Sequence, residues 1–376
     1  MDHAATTPVK PEVLSAMLPF FTDCFANASG VYAASREARR AIDTAREQVA
    51  LLIGALPEEI YFTSGGSEAD NWAISGMLLA ATPDRSHVIT TAIEHHAVLN
   101  ACEAMKPLGF DTTLAGVSPD GVALPGSIAQ SMTSGTALVS VMLANNETGA
   151  IQPVGEIAHL AHAQGIPVHT DAVQAVGHIP VDVRALDVDL LSLSAHKFGG
   201  PKGIGALYVR KGTRLNPLIF GGAQERGMRA GTENTAAIVG MGEAARIARG
   251  HLTQTMAYVA SLRDALIAQV CARLVGVTVN ALRAPRLPGH VHLTIEGADS
   301  AMLLMRLDML GIAASAGSAC TSGAVTRSHV LKAMGGRNGA DLRLTLGEDN
   351  TPEDVDRVVE ALCSILKRSH KGDIRS

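Results

Sequence analysis

Aromatic side chains are scarce in this 376-residue chain: one Trp, four Tyr and seven Phe, 3 % in all. A core with so few rings has to be built from small aliphatic layers and tight backbone turns, and the 37 glycines supply the turns. Charge is also sparse. Only 18 % of residues are charged against 47 % hydrophobic, which excludes a disordered or nucleic-acid-coating chain, since both need more charge and less apolar mass. Thirty-one Lys and Arg against 36 Asp and Glu leave a formal charge of −5, so a basic, phosphate-neutralising face is not expected. The five cysteines (Cys24, Cys102, Cys271, Cys320 and Cys363) are odd in number, widely spaced and free of any CxxC pair. That pattern argues against a disulfide framework and against a structural zinc site. The start, Met1-Asp2-His3-Ala4, has neither the basic nor the apolar region of a secretory signal. No apolar run approaches the roughly 20 residues of a bilayer span. The expected setting is a reducing cytoplasm.

The length favours two domains. Residues 36–53 place Ala38, Ile42, Ala45, Val49 and Leu52 on one helical face, with Gly54 as the terminating residue. Short apolar runs follow at 60–63, 87–91, 138–144, 166–170, 189–194 and 205–209, with helical patterns such as 154–164 between most of them. Such alternation predicts βαβ units and a mainly parallel sheet covered on both faces. Beyond about residue 250 the pattern changes: a helix at 252–275, strands at 291–295 and 342–346, helices at 300–311 and 352–366, and a polar tail from 367 expected to fray. This reads as a smaller α+β C-terminal domain, with boundaries at 10–252 for the large domain and 253–376, joined by 1–9, for the small one.

In open α/β sheets, ligands bind beyond the carboxyl ends of the strands, so the polar residues there are the candidates. Thr63-Ser64-Gly65-Gly66-Ser67-Glu68 joins a strand to a helix and offers a backbone approach and a hydroxyl to an anion. It lacks P-loop spacing, and an ordinary turn with a Ser N-cap would use the same residues. Asp171, in His169-Thr170-Asp171-Ala172-Val173-Gln174, ends an apolar strand, where a carboxylate needs a cationic partner or solvent. Helix capping is the plainer reading. Lys197, in Ser194-Ala195-His196-Lys197, lies at the same edge, though lysines there usually mark solvated surface. Together they are the parts of a pyridoxal phosphate enzyme: an amine for a Schiff base, an acid for the pyridinium nitrogen, and phosphate donors. Cys320 sits in the small-residue run 315–323, a composition that suits an accessible, reactive loop. The other four cysteines read as packing residues, and His159 and His162, three apart on a helix, as solvated surface.

Taken in order, further motifs accompany these: Asp2-His3-Ala4-Ala5-Thr6-Thr7-Pro8, Glu94-His95-His96-Ala97-Val98, Asn145-Asn146-Glu147-Thr148-Gly149, Arg229-Ala230-Gly231-Thr232-Glu233-Asn234 and Gly317-Ser318-Ala319-Cys320-Thr321-Ser322. With them the chain resembles, over nearly its whole length, the NifS/IscS-type cysteine desulfurases of the class V aminotransferase group. These are fold type I pyridoxal phosphate enzymes. The Asn145 and Gly231 phrases lean toward the NifS branch. Two departures lie at the ends: few residues precede the Asp2 motif, and the tail after Leu366 is short.

The resemblance implies an α/β fold and a role for each matching residue. Lys197 would carry the pyridoxal phosphate, Asp171 would pair with its ring nitrogen, and His95 would stack on the ring as the acid/base. Asn146 and Gln174 would bond near the phenolate oxygen and the substrate. Gly66, Ser67, Ser194 and His196 would bind the phosphate, with Thr232 reaching it from the neighbouring subunit of a homodimer. Arg343 would grip the α-carboxylate of L-cysteine. Cys320 would take the sulfur as a persulfide, leaving L-alanine, and hand it to an acceptor or iron–sulfur scaffold protein. No metal ligand set is implied, although Cys320 would come into contact with a transient iron–sulfur cluster. Selenocysteine lysis, tRNA thiolation, an aminotransferase or decarboxylase on the same fold, and a catalytically silent partner-binding module remain as alternatives. Membrane and nucleic-acid partners are not expected.

Overall fold

The computed structural model describes residues 1–317, 328–336 and 338–372. Seven strands form the main sheet: β1 (Ile60–Thr63), β2 (His87–Thr91), β3 (Asp111–Ala115), β4 (Thr136–Ser140), β5 (Val168–Asp171), β6 (Leu190–Ser194) and β7 (Gly205–Val209), in the order β1-β7-β6-β5-β4-β2-β3. The pairs β2–β3, β2–β4, β4–β5 and β5–β6 are parallel, while β7 runs antiparallel to both β6 and β1. β1 therefore points the same way as β6, and its carboxyl end joins theirs at one edge.

Alternation along the strands supplies two apolar faces. Val139, Leu191, Leu193, Ala206 and Tyr208 pack toward the helices Ala33–Leu52 and Thr235–Arg273. Val88, Leu138, Leu190, Leu207 and Val209 pack toward Gly66–Ala80 and His96–Met105, around Trp72, Ile74 and Leu78. Burial on both faces is why these strands read as unbroken apolar runs.

A second, antiparallel sheet of β8 (Val277–Val279), β9 (His290–Ile295) and β10 (Ala340–Thr345) has the order β10-β9-β8. One face, with Val291, Leu293, Ile295, Leu342 and Leu344, packs against the helices Ser300–Met309 and Pro352–Gly372. The alternate positions, His290, His292, Thr294, Arg343 and Thr345, are polar and nevertheless buried. The N-terminal segment lies along β10, with Asp2 bridged in parallel to Thr345.

The structure departs from the sequence expectation in four places. β3 is half-exposed and polar, and β8 has three residues, so neither shows as an apolar run. The helix expected at 252–275 is the second half of the 39-residue helix Thr235–Arg273. Its first half packs Ile238, Met241 and Ala245 on the main core and its second half Val259, Leu262 and Leu266 on the smaller one. The last helix continues to Gly372, past the point at which fraying was expected.

Candidate active site

One cavity of about 230 Å³ at the carboxyl edge of the main sheet gathers Gly66, Ser67, His95, Asn146, Asp171, Gln174, Ser194, His196 and Lys197. They come from five different strand ends and the turns after them. A larger cavity of about 420 Å³ borders Lys197 and Phe198 but holds none of the other expected site residues.

Lys197 ends a short turn, Ala195–Lys197, directly after β6. Its Nζ donates to the carbonyls of Ala4 (2.5 Å) and Ala5 (3.0 Å), and Gln174 Nε2 also donates to the Ala4 carbonyl, at 3.0 Å. Asp171 closes β5, is 6 % exposed, and accepts one backbone hydrogen bond, from Val173 N at 2.9 Å. Burial pushes its carboxyl above the usual range, against the pull of His95 and Lys197. His95 caps the helix His96–Met105: its Nδ1 accepts from Ala97 N at 3.1 Å. An accepting Nδ1 places the proton of the neutral ring on Nε2. Burial holds this imidazole below its ordinary pKa, with Asp171 opposing and Lys197 reinforcing the shift.

At the other end of the cavity the helix Gly66–Ala80 starts. The N–H groups of its first turn have no partners within the helix and favour an anion, beside the hydroxyls of Ser67 and Ser194. A Cβ on Gly66 would stand 2.7 Å from Val173 Cγ2, so the close approach of backbone here depends on glycine. Burial lowers the His196 pKa to about 4, with help from Lys197 and Lys202. Its Nδ1 lies 3.2 Å from Thr6 Oγ1.

An amine, a buried acid whose side chain accepts a single backbone hydrogen bond among the described residues, and a helix N-terminus with hydroxyls thus line one space. This donor set fits pyridoxal phosphate: amine to aldehyde, carboxylate to ring nitrogen, N–H and O–H groups to phosphate.

Two expected residues lie outside this cavity. Thr232 lines a separate cavity of about 240 Å³ with Thr63, Ser64, Arg229 and Asn234. Arg343 stands beside the site, its Nη1 donating to the Asn146 carbonyl at 3.0 Å and its Nη2 to Asp2 Oδ1 at 3.0 Å. Cys320 lies outside the described residues. Of the remaining cysteines, Cys102 is buried and its thiol is pushed up to about 12, desolvation being the main cause. Cys271 is exposed on its helix, against the packing role expected. His162 is part-exposed, and its two ring nitrogens meet Asp187 (3.0 Å) and Asp189 (2.8 Å).

Sequence reasoning missed Asp70, which also lines the cavity, is 1 % exposed, and has an Oδ1 without a hydrogen-bond partner among the described residues. Burial first, then Asp171, drive its carboxyl well above the usual range. Asp70 is buried on its helix beside Ala69, Trp72, Ala73 and Ile74, and a single acid on a helix, usually exposed, gives no sequence sign of this. The buried His169 behind it joins Ser140 Oγ (2.8 Å) to Ser192 Oγ (3.0 Å) and is kept neutral, desolvation lowering its pKa to about 3. The Ala4 and Ala5 carbonyls were missed because main-chain groups carry no side-chain signal.

The family model "Aminotransferase class-V" matches residues 1–358. "Cysteine desulfurase IscS" of Clostridium botulinum is 47 % identical over 373 residues, covering 98 % of this chain and 94 % of that protein. A solved structure titled "NIFS-LIKE PROTEIN" superposes with a TM-score of 0.91 at 34 % identity, over 97 % of this chain and 98 % of that one. A second, "SspA in complex with cysteine", gives 0.82 at 35 % identity, over 93 % and 99 %. The chain belongs to the class V aminotransferase family, in its branch of NifS/IscS-type cysteine desulfurases.

Proposed function

We propose that this protein is a pyridoxal phosphate-dependent cysteine desulfurase, converting L-cysteine to L-alanine and passing the sulfur through Cys320 to an acceptor protein, chiefly for iron–sulfur cluster assembly. The observation that carries the reading is the meeting of Lys197, Asp171 and His95 with an anion-binding helix start in one cavity. Lys197 would hold the cofactor covalently and Asp171 would pair with its ring nitrogen. Ser67, Ser194, His196 and the start of the helix Gly66–Ala80 would hold the phosphate, with Gln174 and Asn146 beside the ring oxygen and substrate. When bound, the cofactor supplies an electron sink for the charge left at the substrate Cα.

The chain's own groups do the rest. Arg343 binds the α-carboxylate through its planar guanidinium. His95, neutral through burial, keeps its exchangeable proton on Nε2 and relays protons at the reacting carbon. The Cys320 thiolate attacks the substrate sulfur: an S–S bond forms, the Cβ–S bond breaks, and its electron pair stays with the organic fragment, which is protonated to alanine. Cysteine plus the enzyme thiol thus gives alanine plus the enzyme persulfide. Thiol chemistry of this kind needs a reducing compartment, and we assign it to the cytoplasm. A homodimer, with Thr232 serving the partner's phosphate site, completes the reading. Among the described residues no helix is long and apolar enough to cross a membrane.

The test is to supply the cofactor-loaded protein with L-cysteine, quantify alanine, and weigh the Cys320 peptide for one added sulfur. Lys197→Ala should release no alanine, and Cys320→Ala should form no persulfide. A marked preference for L-selenocysteine would overturn the assignment, as would alanine release undiminished in Cys320→Ala.

A further inference from the structure

Asp2 and Arg343 are far apart in sequence and meet because the N-terminal segment lies along β10. Thr345 N donates to the Met1 carbonyl (2.9 Å), His3 N to the Thr345 carbonyl (3.3 Å) and Ala4 N to Thr345 Oγ1 (2.9 Å). Arg343 precedes Thr345 by two residues, so both side chains stand on the same face of the strand. Arg343 is 7 % exposed, and its guanidinium is held at two points. Nη2 donates to Asp2 Oδ1 and Nη1 to the Asn146 carbonyl, each at 3.0 Å. Nε, also buried, has no acceptor among the described residues. Asp2 is itself fixed, because Ser315 Oγ donates to its Oδ2 at 2.6 Å. Across the β9–β10 ladder Arg343 faces His292, and Thr345 faces His290. Both imidazoles are buried and kept neutral, so neither is a counter-ion for the guanidinium.

A guanidinium is a rigid planar fork, and fixing two of its nitrogens fixes the direction of the third. A buried donor with no acceptor is a place where an acceptor belongs. We propose that Asp2 is a positioning residue for substrate: with the Asn146 carbonyl it pins the two Nη groups of Arg343, so that Nε–H is presented to the α-carboxylate of the amino-acid substrate. The proposal rests on the desulfurase reading above. It gives the N-terminal motif a purpose, since Asp2 holds Arg343 while the carbonyls of Ala4 and Ala5 hold Lys197. One four-residue segment sets both cations on which the reaction depends.

The experiment compares L-cysteine as substrate with cysteamine as competitive inhibitor, using the full chain loaded with pyridoxal phosphate. Cysteamine has the same amine and thiol but no carboxylate. Asp2→Ala should raise the KM for L-cysteine about tenfold, the effect of loosening one charge-assisted hydrogen bond. Its kcat should change far less and the inhibition constant of cysteamine should stay as in the wild type. Asp2→Asn, which keeps an oxygen acceptor for Nη2, should recover most of the affinity. Absorbance of the bound cofactor should be alike in all three proteins. An unchanged KM in Asp2→Ala overturns the role, and so does equal weakening of cysteine and cysteamine. A lowered KM overturns it as well, making Asp2 a competitor for Arg343. Failure confined to the Asp2 variants removes only the positioning role, whereas a wild type that releases no alanine removes the desulfurase reading beneath it.

Discussion

Asp171 and Glu94 are both buried carboxyls, and their surroundings give them different tasks. Asp171 faces the cavity with one backbone donor, and in the proposed function a cationic ring nitrogen would be its partner. Asp171→Asn keeps the shape and removes the charge. Alanine release should fall by roughly a hundredfold or more, the usual effect of deleting one preorganised electrostatic group, while the cofactor still absorbs; steady-state alanine assays check this. Glu94 points inward from the loop after β2, where both its oxygens accept from Met142 N (3.1 and 3.0 Å) and one from Thr91 Oγ1 (2.6 Å). Desolvation raises its pKa from 4.5 to about 8, with Asp171 adding to the shift. The sign follows by linkage. Between these values the folded state holds a proton that the unfolded chain has released, so the contribution is complete below 4.5 and is lost as pH rises toward 8. Melting temperatures of Glu94→Gln across that window should decline less with pH than those of the wild type. Lys197, Asp171 and the Gly66-Ser67 turn were legible in the sequence because a polar residue closing an apolar strand stands out. Asp70 was not, since a single acid on a helix is usually exposed. The role proposed for Asp2 depends on a partner more than 300 residues away.

Helices and strands were legible in proportion to their burial. β6 and β7, buried on both sides, stand where their apolar runs predict, whereas the half-exposed β3 and the three-residue β8 leave no such trace. The sequence pattern starts the long helix Thr235–Arg273 only at its middle because its apolar face changes partner there, from the main core to the smaller one. Its first half lies close against Ala33–Leu52: a Cβ on Gly242 would come within 2.5 Å of Ala45 Cα. Backbone, unlike a flexible side-chain tip, has nowhere to move. Gly242→Ala should therefore cost about 1–3 kcal/mol through overpacking, despite the better helix propensity of alanine; denaturant unfolding measures it.

At the scale of the whole molecule, the proposed site draws on three parts: strand ends of the main sheet, which line the cavity, and β10 with the N-terminal segment, which lie beside it. Thr232, in its own cavity, belongs to this scheme through the proposed partner subunit. Light scattering should give twice the mass of one chain, and Thr232→Ala should weaken retention of the cofactor about tenfold, one phosphate hydrogen bond being lost; dialysis followed by absorbance reads that loss. A monomer that retains cofactor fully would remove Thr232 from the site.

By itself the sequence determined the fold class and placed Lys197 and Asp171, the proposed amine and acid, at one edge of the main sheet. Those follow from local rules: strand period, glycine turns, and the cost of burying charge. The tertiary structure alone decided that Asp70 joins the cavity, that Cys271 is exposed, and that His162 lies between two carboxylates. It also decided that the N-terminal segment holds Arg343 and Lys197 together. Each of these depends on contacts between residues distant along the chain, and such contacts exist only once both cores have closed.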